Sequence, residues 1–188
     1  MKFEAKRYFD KNGNAFILRN AELSDAADYI RYLKVTSGET PYLIREPEEI
    51  SLTEEQEQKF LQSKIDAERE LMLAAIVDGK LVGNCSLMSA GGFNRYRHRC
   101  DVAIALYQKY CGKGIGKVML DTILEVAENA GYEQAELEVI ADNKPAIALY
   151  EKLGFIRYGI FPDNMKYKDG DYVDAYWMMK KLDGSGGL

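Results

Sequence analysis

The sequence predicts an α/β fold in which helices flank a central mixed β-sheet. Apolar residues recur at helical spacing in some stretches and form short continuous runs in others, and the two kinds of stretch alternate along the chain. Asp78-Gly79 joins two of the continuous runs and is typical of a tight hairpin between antiparallel strands. Because hairpins accompany the interleaved helices, a mixed sheet is favoured over a doubly wound parallel sheet.

The first half of the chain predicts one strand, two helices and a hairpin. Residues up to about Asn14 are expected to form a partly ordered lead-in, followed by a strand at 15–19. The first helix is predicted at 24–36, and its apolar side carries Ala27, Tyr29, Ile30 and Leu33. Thr53 and Gln56 form a capping box that opens the second helix, whose inward residues are predicted to be Phe60, Leu61 and Ile65.

The second half predicts further strands with two helices between them. Strands are expected at 71–77, 80–89, 100–106, 135–140, 155–160, 165–168 and 172–179. Helices are expected at 115–130 and 144–153, each followed by a glycine that ends it. Asp169-Gly170 is predicted to turn between the last two strands.

Length and composition are those of one globular domain. The 188 residues are 47% hydrophobic and 29% charged, so we expect a single domain over 1–188, with a core at about 15–182 and a flexible tail at 183–188. No apolar run approaches the ~20 residues that span a bilayer. No apolar stretch follows the basic N-terminus as in a signal peptide, so a cytoplasmic location without membrane contact is expected.

Charge and cysteine content exclude several classes of protein. The net charge of −5 argues against a nucleic-acid partner and weakly favours a cationic substrate. The three cysteines lack CxxC spacing, and the chain has one histidine, so neither a disulfide framework nor a metal site is expected.

A glycine-rich turn is the most informative segment. Gly112, Gly114 and Gly116 lie between a predicted strand and a long helix, where helix amides and the helix dipole favour an anion. Lys113 and Lys117 are expected to add charge at the rim. The spacing fits neither the P-loop nor the GxGxxG dinucleotide fingerprint, which weakens a nucleotide-phosphate function. Taken alone, the glycines also fit an ordinary loop before a helix.

A second pair of residues lies on the next helix. Asn143 and Tyr150 are seven residues apart, close to two helical turns, so both side chains face the same way about 10 Å apart. Such a pair can contact two parts of one long ligand. Taken alone, it equally fits an N-capping asparagine and a tyrosine at the edge of the core.

Taken together, the two segments resemble the acetyl-CoA motifs of the GNAT superfamily. Cys111-Gly-Lys-Gly114-Ile-Gly116 is similar to its Gln/Arg-x-x-Gly-x-Gly/Ala pattern, with Cys111 replacing Gln or Arg. Asn143-x-x-Ala-x-x-x-Tyr150-x-Lys-x-Gly154-Phe155 resembles the motif that follows it. The resemblance runs from about Phe16 to Leu182 and implies the GNAT fold.

The resemblance also implies a cosubstrate, acetyl-CoA, and the residues that bind it. The backbone of Ile104, Ala105 and Leu106 would pair with the pantetheine arm, and Asn143 would hydrogen-bond the cofactor. The pyrophosphate would be bound by the turn residues Gly112, Lys113, Gly114, Ile115, Gly116 and Lys117. No metal is implied.

The implied reaction is direct attack of an amine on the thioester. The Leu106 amide would stabilise the oxyanion, and Tyr150, with a phenol pKa near ~10, would protonate the leaving thiolate. The proton acceptor is Glu138 or Asp101, although each also fits a solvated or substrate-binding carboxylate.

The expected function is therefore an N-acetyltransferase acting on a primary amine of a small molecule or peptide. A non-catalytic acyl-CoA sensor on the same fold is the alternative, and Tyr150 favours catalysis because a sensor needs no leaving-group acid. The resemblance implies that residues 35–50 and 159–172 form the acceptor walls. The final hairpin is a candidate homodimer surface.

Overall fold

A computed structural model describes residues 1–182. The predicted tail at 183–188 lies outside the described residues. The strands are β1 Lys6–Phe9, β2 Ala15–Asn20, β3 Leu71–Val77, β4 Lys80–Ser89, β5 Arg99–Leu106, β6 Gln134–Ile140, β7 Ile156–Lys166 and β8 Tyr172–Lys181. The helices are α1 Ala26–Glu39, α2 Glu54–Asp66, α3 Ile115–Asn129 and α4 Lys144–Lys152.

The eight strands form the predicted mixed sheet. Their order is β1-β2-β3-β4-β5-β6-β8-β7. The ladders β1–β2, β2–β3, β3–β4, β6–β8 and β7–β8 are antiparallel, whereas β5 and β6 pair in parallel. Hairpins and a parallel pair thus coexist, as expected from interleaved helices and Asp-Gly turns.

Local turn and cap chemistry explains the elements that the sequence predicted well. Asp78 and Gly79 both have positive φ, 49° and 73°, as a two-residue hairpin between twisted strands requires. At the start of α2, Thr53 accepts a hydrogen bond from the Gln56 amide at 3.2 Å, and Gln56 accepts one from the Thr53 amide at 2.9 Å. Both predictions are confirmed.

The prediction of a partly ordered N-terminal lead-in is wrong. Lys6–Phe9 forms β1 and pairs with β2 in antiparallel register. The Tyr8 ring stacks on Phe16 with centroids 5.7 Å apart. The sequence KRYF has no apolar alternation, and the strand is stabilised by its hairpin pairing with β2 and by the Tyr8–Phe16 contact.

Three details of the helices and the last hairpin also differ. Ala27 and Phe60 are exposed, whereas Tyr32 and Glu57 are buried on the inner faces of α1 and α2. Helix α1 continues through Gly38 to Glu39. The strand predicted separately at 165–168 is not a separate element: its first two residues end β7, which continues to Lys166 past an irregularity between Phe161 and Met165.

The chain divides into two compact units. The first unit contains Met1–Met88 and Ala103–Ile123, and the second contains Ser89–Val102 and the described residues from Leu124 onward. The core of the first unit includes Ala26, Tyr29, Tyr32, Leu61, Met72 and Ile76. Buried residues of the second include Tyr132, Leu137, Phe155, Ala175 and Met178. Among the described helices, none combines the length and hydropathy needed to cross a bilayer.

Candidate functional site

The glycine turn, residues 112–117, follows β5 and leads into α3. Gly112 and Gly114 adopt left-handed backbone conformations, with φ of 74° and 93°, which residues with a side chain seldom adopt. The Gly114 carbonyl accepts a hydrogen bond from the Val118 amide at 3.2 Å, so the helix begins immediately after Gly114. Amides of a first helical turn lack intrahelical acceptors, and the helix dipole adds positive potential. The turn is therefore suited to an anionic group such as a diphosphate.

The end of β5 carries the three residues that the resemblance assigned to the pantetheine arm. The Ala105 carbonyl accepts a hydrogen bond from the Tyr32 hydroxyl at 2.8 Å, and the Tyr107 amide donates to a β4 carbonyl at 3.0 Å. Because backbone groups alternate sides along a strand, those of Ile104 and Leu106 point to the opposite edge from those of Ala105. Ile104 and Leu106 are thus better oriented than Ala105 to pair with an extended ligand.

The two lysines predicted at the rim of the turn have partners of their own. Lys117 Nζ lies 2.6 Å from the Asp121 carboxylate, one helical turn along α3. Lys113 Nζ lies 5.1 Å from the centroid of the Tyr110 ring. The Asp121 carboxylate therefore compensates part of the charge of Lys117, whereas Lys113 keeps its charge and is attracted to the Tyr110 ring.

Cys111, which replaces the family's Gln or Arg, is exposed at the start of the turn. Its thiol lies 3.7 Å from the Tyr107 carbonyl. Partial desolvation, together with the charge of Glu39, raises the pKa of the Cys111 thiol. The side chain is therefore a weak nucleophile at neutral pH.

In the second unit, Asp101 lies in a group of charged residues at the β5–β6 ladder. Asp101 stands opposite Glu136 in the parallel register. Glu136 is buried and forms an ion pair with Arg99, whose Nη2 lies 2.6 Å from one carboxylate oxygen while its Nε donates to the other. The Arg99 contact lowers the pKa of Glu136. Burial, and then the charge of Glu136, raise the pKa of Asp101.

Sequence analysis did not single out Glu136 and did not predict its ion pair with Arg99. One observation was available: Glu136 and Glu138 are two residues apart on a strand, so both must point to the same face of the sheet. The position of Arg99 depends on the register between β5 and β6, which the sequence does not reveal.

Glu138, the other predicted proton acceptor, lies two residues further along β6. It is exposed, and both of its oxygens accept hydrogen bonds, from Trp177 Nε1 at 2.9 Å and from Asn164 Nδ2 at 2.8 Å. The Trp177 ring in turn packs against Tyr158 and Phe161, with centroids 6.3 and 5.7 Å apart. The carboxylate is thus fixed beside an exposed aromatic cluster on the β7–β8 hairpin.

Asn143 and Tyr150 have the positions that the helix prediction gave them. Asn143 is the N-cap of α4, and its Oδ1 accepts a hydrogen bond from the Ala146 amide at 3.3 Å. Its side-chain NH₂ group is not part of this cap and can donate to a ligand. Tyr150 is buried, with its ring centroid 5.9 Å from that of Phe155.

The two predicted acceptor walls lie in different elements. Residues 35–50 include the end of α1 and a short turn of 3₁₀ helix at Pro47–Glu49, and here the Glu39 carboxylate accepts a hydrogen bond from the Gln108 amide at 2.7 Å. Residues 159–172 belong to β7 and the turn into β8. Within residues 1–182, no three histidine, cysteine or carboxylate side chains converge as metal ligands do.

Comparison with solved structures identifies the fold. An acetyltransferase of the GNAT family from Streptococcus pneumoniae is similar with a TM-score of 0.85 and 29% sequence identity, and the match covers 89% of this chain and 99% of that one. The fold is therefore that of the GNAT acyltransferases.

Sequence comparisons agree with the fold. The chain matches the model of the acetyltransferase (GNAT) family over residues 38–155, a stretch that contains the glycine turn, Asp101 and Tyr150. The chain belongs to the GNAT family and is an acyltransferase.

Two curated relatives carry more specific names. An N-alpha-acetyltransferase from Saccharolobus solfataricus is 30% identical over 179 residues, which cover 90% of this chain and 95% of the relative. The L-amino acid N-acetyltransferase AaaT of Escherichia coli is 32% identical over 111 residues, which cover 57% of this chain and 66% of that enzyme.

Proposed function

We propose that the protein is an N-acetyltransferase that transfers the acetyl group of acetyl-CoA to the α-amino group of an amino acid or peptide. The observation that carries this proposal is the glycine turn, where Gly112 and Gly114 adopt left-handed conformations directly before α3. GNAT enzymes are acetyl-CoA-dependent, and the amides of this turn fit the cofactor's diphosphate.

The rest of the cofactor is assigned to backbone and amide groups. The backbone groups of Ile104 and Leu106 are assigned to the pantetheine arm. The Ala105 carbonyl faces the opposite edge of the strand, where it accepts a hydrogen bond from the Tyr32 hydroxyl. Asn143 contributes its side-chain NH₂ group, since Oδ1 is used in the helix cap. No cysteine or serine nucleophile is needed, because the thioester is already activated.

Asp101 is proposed as the proton acceptor. An α-amine, with a pKa near ~8, is mostly protonated at neutral pH, and only its neutral form has a lone pair that can attack. The nitrogen then carries a further proton, which it loses as it bonds to the acetyl carbon and which the base accepts. The raised pKa of Asp101 favours proton acceptance, directly or through water. Glu138 is less suited to this role because protonation would weaken the two hydrogen bonds that its oxygens accept.

Glu138 is proposed to orient the acceptor. Its charge attracts an ammonium group before deprotonation. The indole and Asn164 hold the carboxylate in place, so the acceptor meets a preorganised anion.

The leaving group and the oxyanion complete the chemistry. As the C–S bond breaks, Tyr150 donates its phenolic proton to the CoA sulfur, and the Leu106 amide stabilises the negative oxygen that forms beforehand. The tyrosine then regains a proton from solvent. The family resemblance implies both roles, and Tyr150 belongs to the motif that begins at Asn143.

The relatives support an α-amine as acceptor. One is named for amino-acid acetylation and the other for N-alpha-acetylation, and the shared chemical group is an α-amine. The acidic net charge and Glu138 suit a cationic acceptor.

The test is an acceptor screen with chromatographic detection. The wild-type protein is incubated with acetyl-CoA and a panel of free amino acids, short peptides with free N-termini, and amines without an α-carboxyl derivative. Released CoA and acetylated product are quantified by mass spectrometry, because the exposed Cys111 would react with a thiol reagent. Transfer to α-amines supports the proposal, whereas saturable acetyl-CoA binding with no transfer to any amine contradicts it and favours a sensor.

A further inference from the structure

The loop between β1 and β2, residues 10–14, packs on the glycine turn. The Lys11 amide donates a hydrogen bond to the Lys113 carbonyl at 2.9 Å. The Lys11 side chain crosses Gly114, since a Cβ atom placed on that glycine would lie 3.1 Å from Lys11 Cγ. Its ammonium Nζ lies 3.5 Å from the Gly112 carbonyl. An N-terminal lysine is thus placed against the backbone that forms the diphosphate site.

The loop is built to hold Lys11 in this position. The Asp10 carboxylate accepts hydrogen bonds from the amides of Asn12 and Asn14, at 2.8 and 2.9 Å, and from the Asn14 side chain. Gly13 has a φ of 81°, which allows the tight return to β2. These bonds, chiefly those from Asn14, lower the pKa of Asp10.

The charge of Lys11 is not compensated by an ion pair, whereas that of Lys117 is. Lys117 is paired with Asp121, and Lys113 lies over Tyr110. None of the ion pairs among residues 1–182 includes Lys11. The ammonium of Lys11 therefore rests on a neutral carbonyl and is available to a ligand with negative charge.

We propose that Lys11 binds a phosphate of CoA, namely the diphosphate at the glycine turn, and that the β1–β2 loop is part of the cofactor site. This inference rests on the proposed function, which places the diphosphate at the turn. The turn itself supplies backbone dipoles, and Lys11 adds a full charge from a separate part of the chain. The affinity for the cofactor therefore depends on the hairpin of β1 and β2, which carries Lys11.

The experiment measures the dissociation constant of CoA by calorimetry for the wild type, Lys11→Met and Lys11→Arg. At low ionic strength, we expect Lys11→Met to weaken CoA binding about fivefold and Lys11→Arg to keep affinity near the wild-type value. In 1 M salt, where screening acts over about 3 Å, wild type and Lys11→Met should converge. Lys6→Met is the matched control, because it removes a lysine from the far end of the same hairpin, beside Phe3.

Dephospho-CoA distinguishes the two kinds of phosphate. It retains the diphosphate and lacks the 3′-phosphate, so the same fivefold loss on Lys11→Met is expected. A loss that disappears with dephospho-CoA would assign Lys11 to the 3′-phosphate and overturn the assignment to the diphosphate.

The remaining outcomes separate this inference from the proposed function. A wild-type protein that does not bind CoA contradicts the proposed function itself. Wild-type binding with equal affinity in Lys11→Met overturns the role of Lys11 alone. An equal loss at all salt concentrations in Lys11→Met and Lys11→Arg, with a lowered Tm, would indicate a purely structural role and overturn it as well.

Discussion

Asp101 stands directly opposite Glu136 in the parallel ladder between β5 and β6, and the charge of Glu136 helps to raise the pKa of Asp101. Arg99 forms an ion pair with Glu136 and only partly offsets this repulsion at Asp101. The fold thus satisfies one carboxylate and leaves its neighbour with an increased affinity for protons. Such a division between two nearby carboxylates is common where one of them must accept a proton.

Asp101→Asn is expected to lower kcat by about 100-fold or more, because proton transfer by a positioned base contributes this much. CoA affinity should stay unchanged, as measured by calorimetry. The Tm at neutral pH should not fall: with a raised folded-state pKa, Asp101 stabilises the fold below its ordinary pKa of 3.8, and this contribution is lost as the pH rises through the folded value. Glu138→Gln is the comparison variant: it is expected to raise the KM for the acceptor, because Glu138 is proposed to orient it. Wild-type turnover in Asp101→Asn would show that another group accepts the proton.

Glu136→Gln should move the acidic limb of the pH–rate profile to lower pH. Removing the like charge, and freeing Arg99 to interact with Asp101, both lower the pKa of Asp101. At low pH, a plot of log(kcat/KM) against pH should have a slope near two, since the amine and the Asp101 carboxyl must both lose a proton. Above the pKa of Asp101 the slope should fall to one. The pH of this break reports Asp101. A break that stays in place in Glu136→Gln would contradict the coupling.

The same variant should also be less stable at neutral pH, by about 1–2 kcal/mol. This is below the value for a fully buried pair, because the Arg99 side chain keeps 30% of its exposure. The pKa of Glu136 is lowered from its ordinary value of 4.5, so its stabilisation is present above that pH and is lost as the pH falls through the lower folded value. Denaturant unfolding at several pH values checks this, since the difference from wild type should shrink in acid.

Much of the fold could be predicted because its turns and caps are local. Asp78-Gly79 and the capping box of Thr53 and Gln56 involve residues within three positions of each other, so their sequence alone specifies the geometry. Strand β1 was missed because its own residues show no apolar alternation, although Asn12-Gly13 in the loop to β2 is a local hairpin signal. The exposed side of α2 was also misjudged, since Glu57 is buried and Phe60 is not.

For the site, sequence reasoning found the motif residues and missed their partners. The glycine turn and Asn143 follow from local pattern, and their helix starts are confirmed. The Arg99–Glu136 pair depends on strand register, and Lys11 reaches the turn from about 100 residues earlier in the chain. Only a folded structure brings such distant residues together. The roles of Asp101, Glu138 and Tyr150 stay predictions.

Tyr150→Phe should keep CoA affinity while lowering kcat. The substitution retains the ring that packs near Phe155 and removes only the hydroxyl, so the fold and the cofactor contacts should persist. The loss should be smaller with an acetyl thioester whose thiol has a low pKa, since such a leaving group needs no acid. Wild-type turnover with acetyl-CoA in Tyr150→Phe would contradict the acid role.

Gly114→Ala should weaken CoA binding by about tenfold. Alanine is strained at a φ of 93°, and its Cβ would press on the Lys11 side chain at 3.1 Å, so both the turn and the lysine must shift. Gly114→Asp should bind still more weakly, because it adds a negative charge. The matched control is Gly79→Ala, at a φ of 73° with no atom within 4 Å of the new Cβ. It should lose similar stability and keep CoA affinity; equal CoA losses in both variants would mean that the turn is not the binding site.

Acetyl-CoA should protect Cys111 from alkylation. Cys85 and Cys100 are buried and Cys111 is exposed at the start of the turn, so a maleimide should label one site in the native protein and three after unfolding. Because the pKa of the Cys111 thiol is raised, the labelling rate should increase with pH throughout the neutral range.

Saturating acetyl-CoA, which carries no free thiol, should slow the labelling of Cys111 several-fold if the diphosphate lies on the adjacent amides. The mass of the intact protein is the readout. Adenosine, which lacks the diphosphate, is the control and should give no protection. Unchanged labelling at an acetyl-CoA concentration that calorimetry shows to be saturating would place the ligand away from the turn.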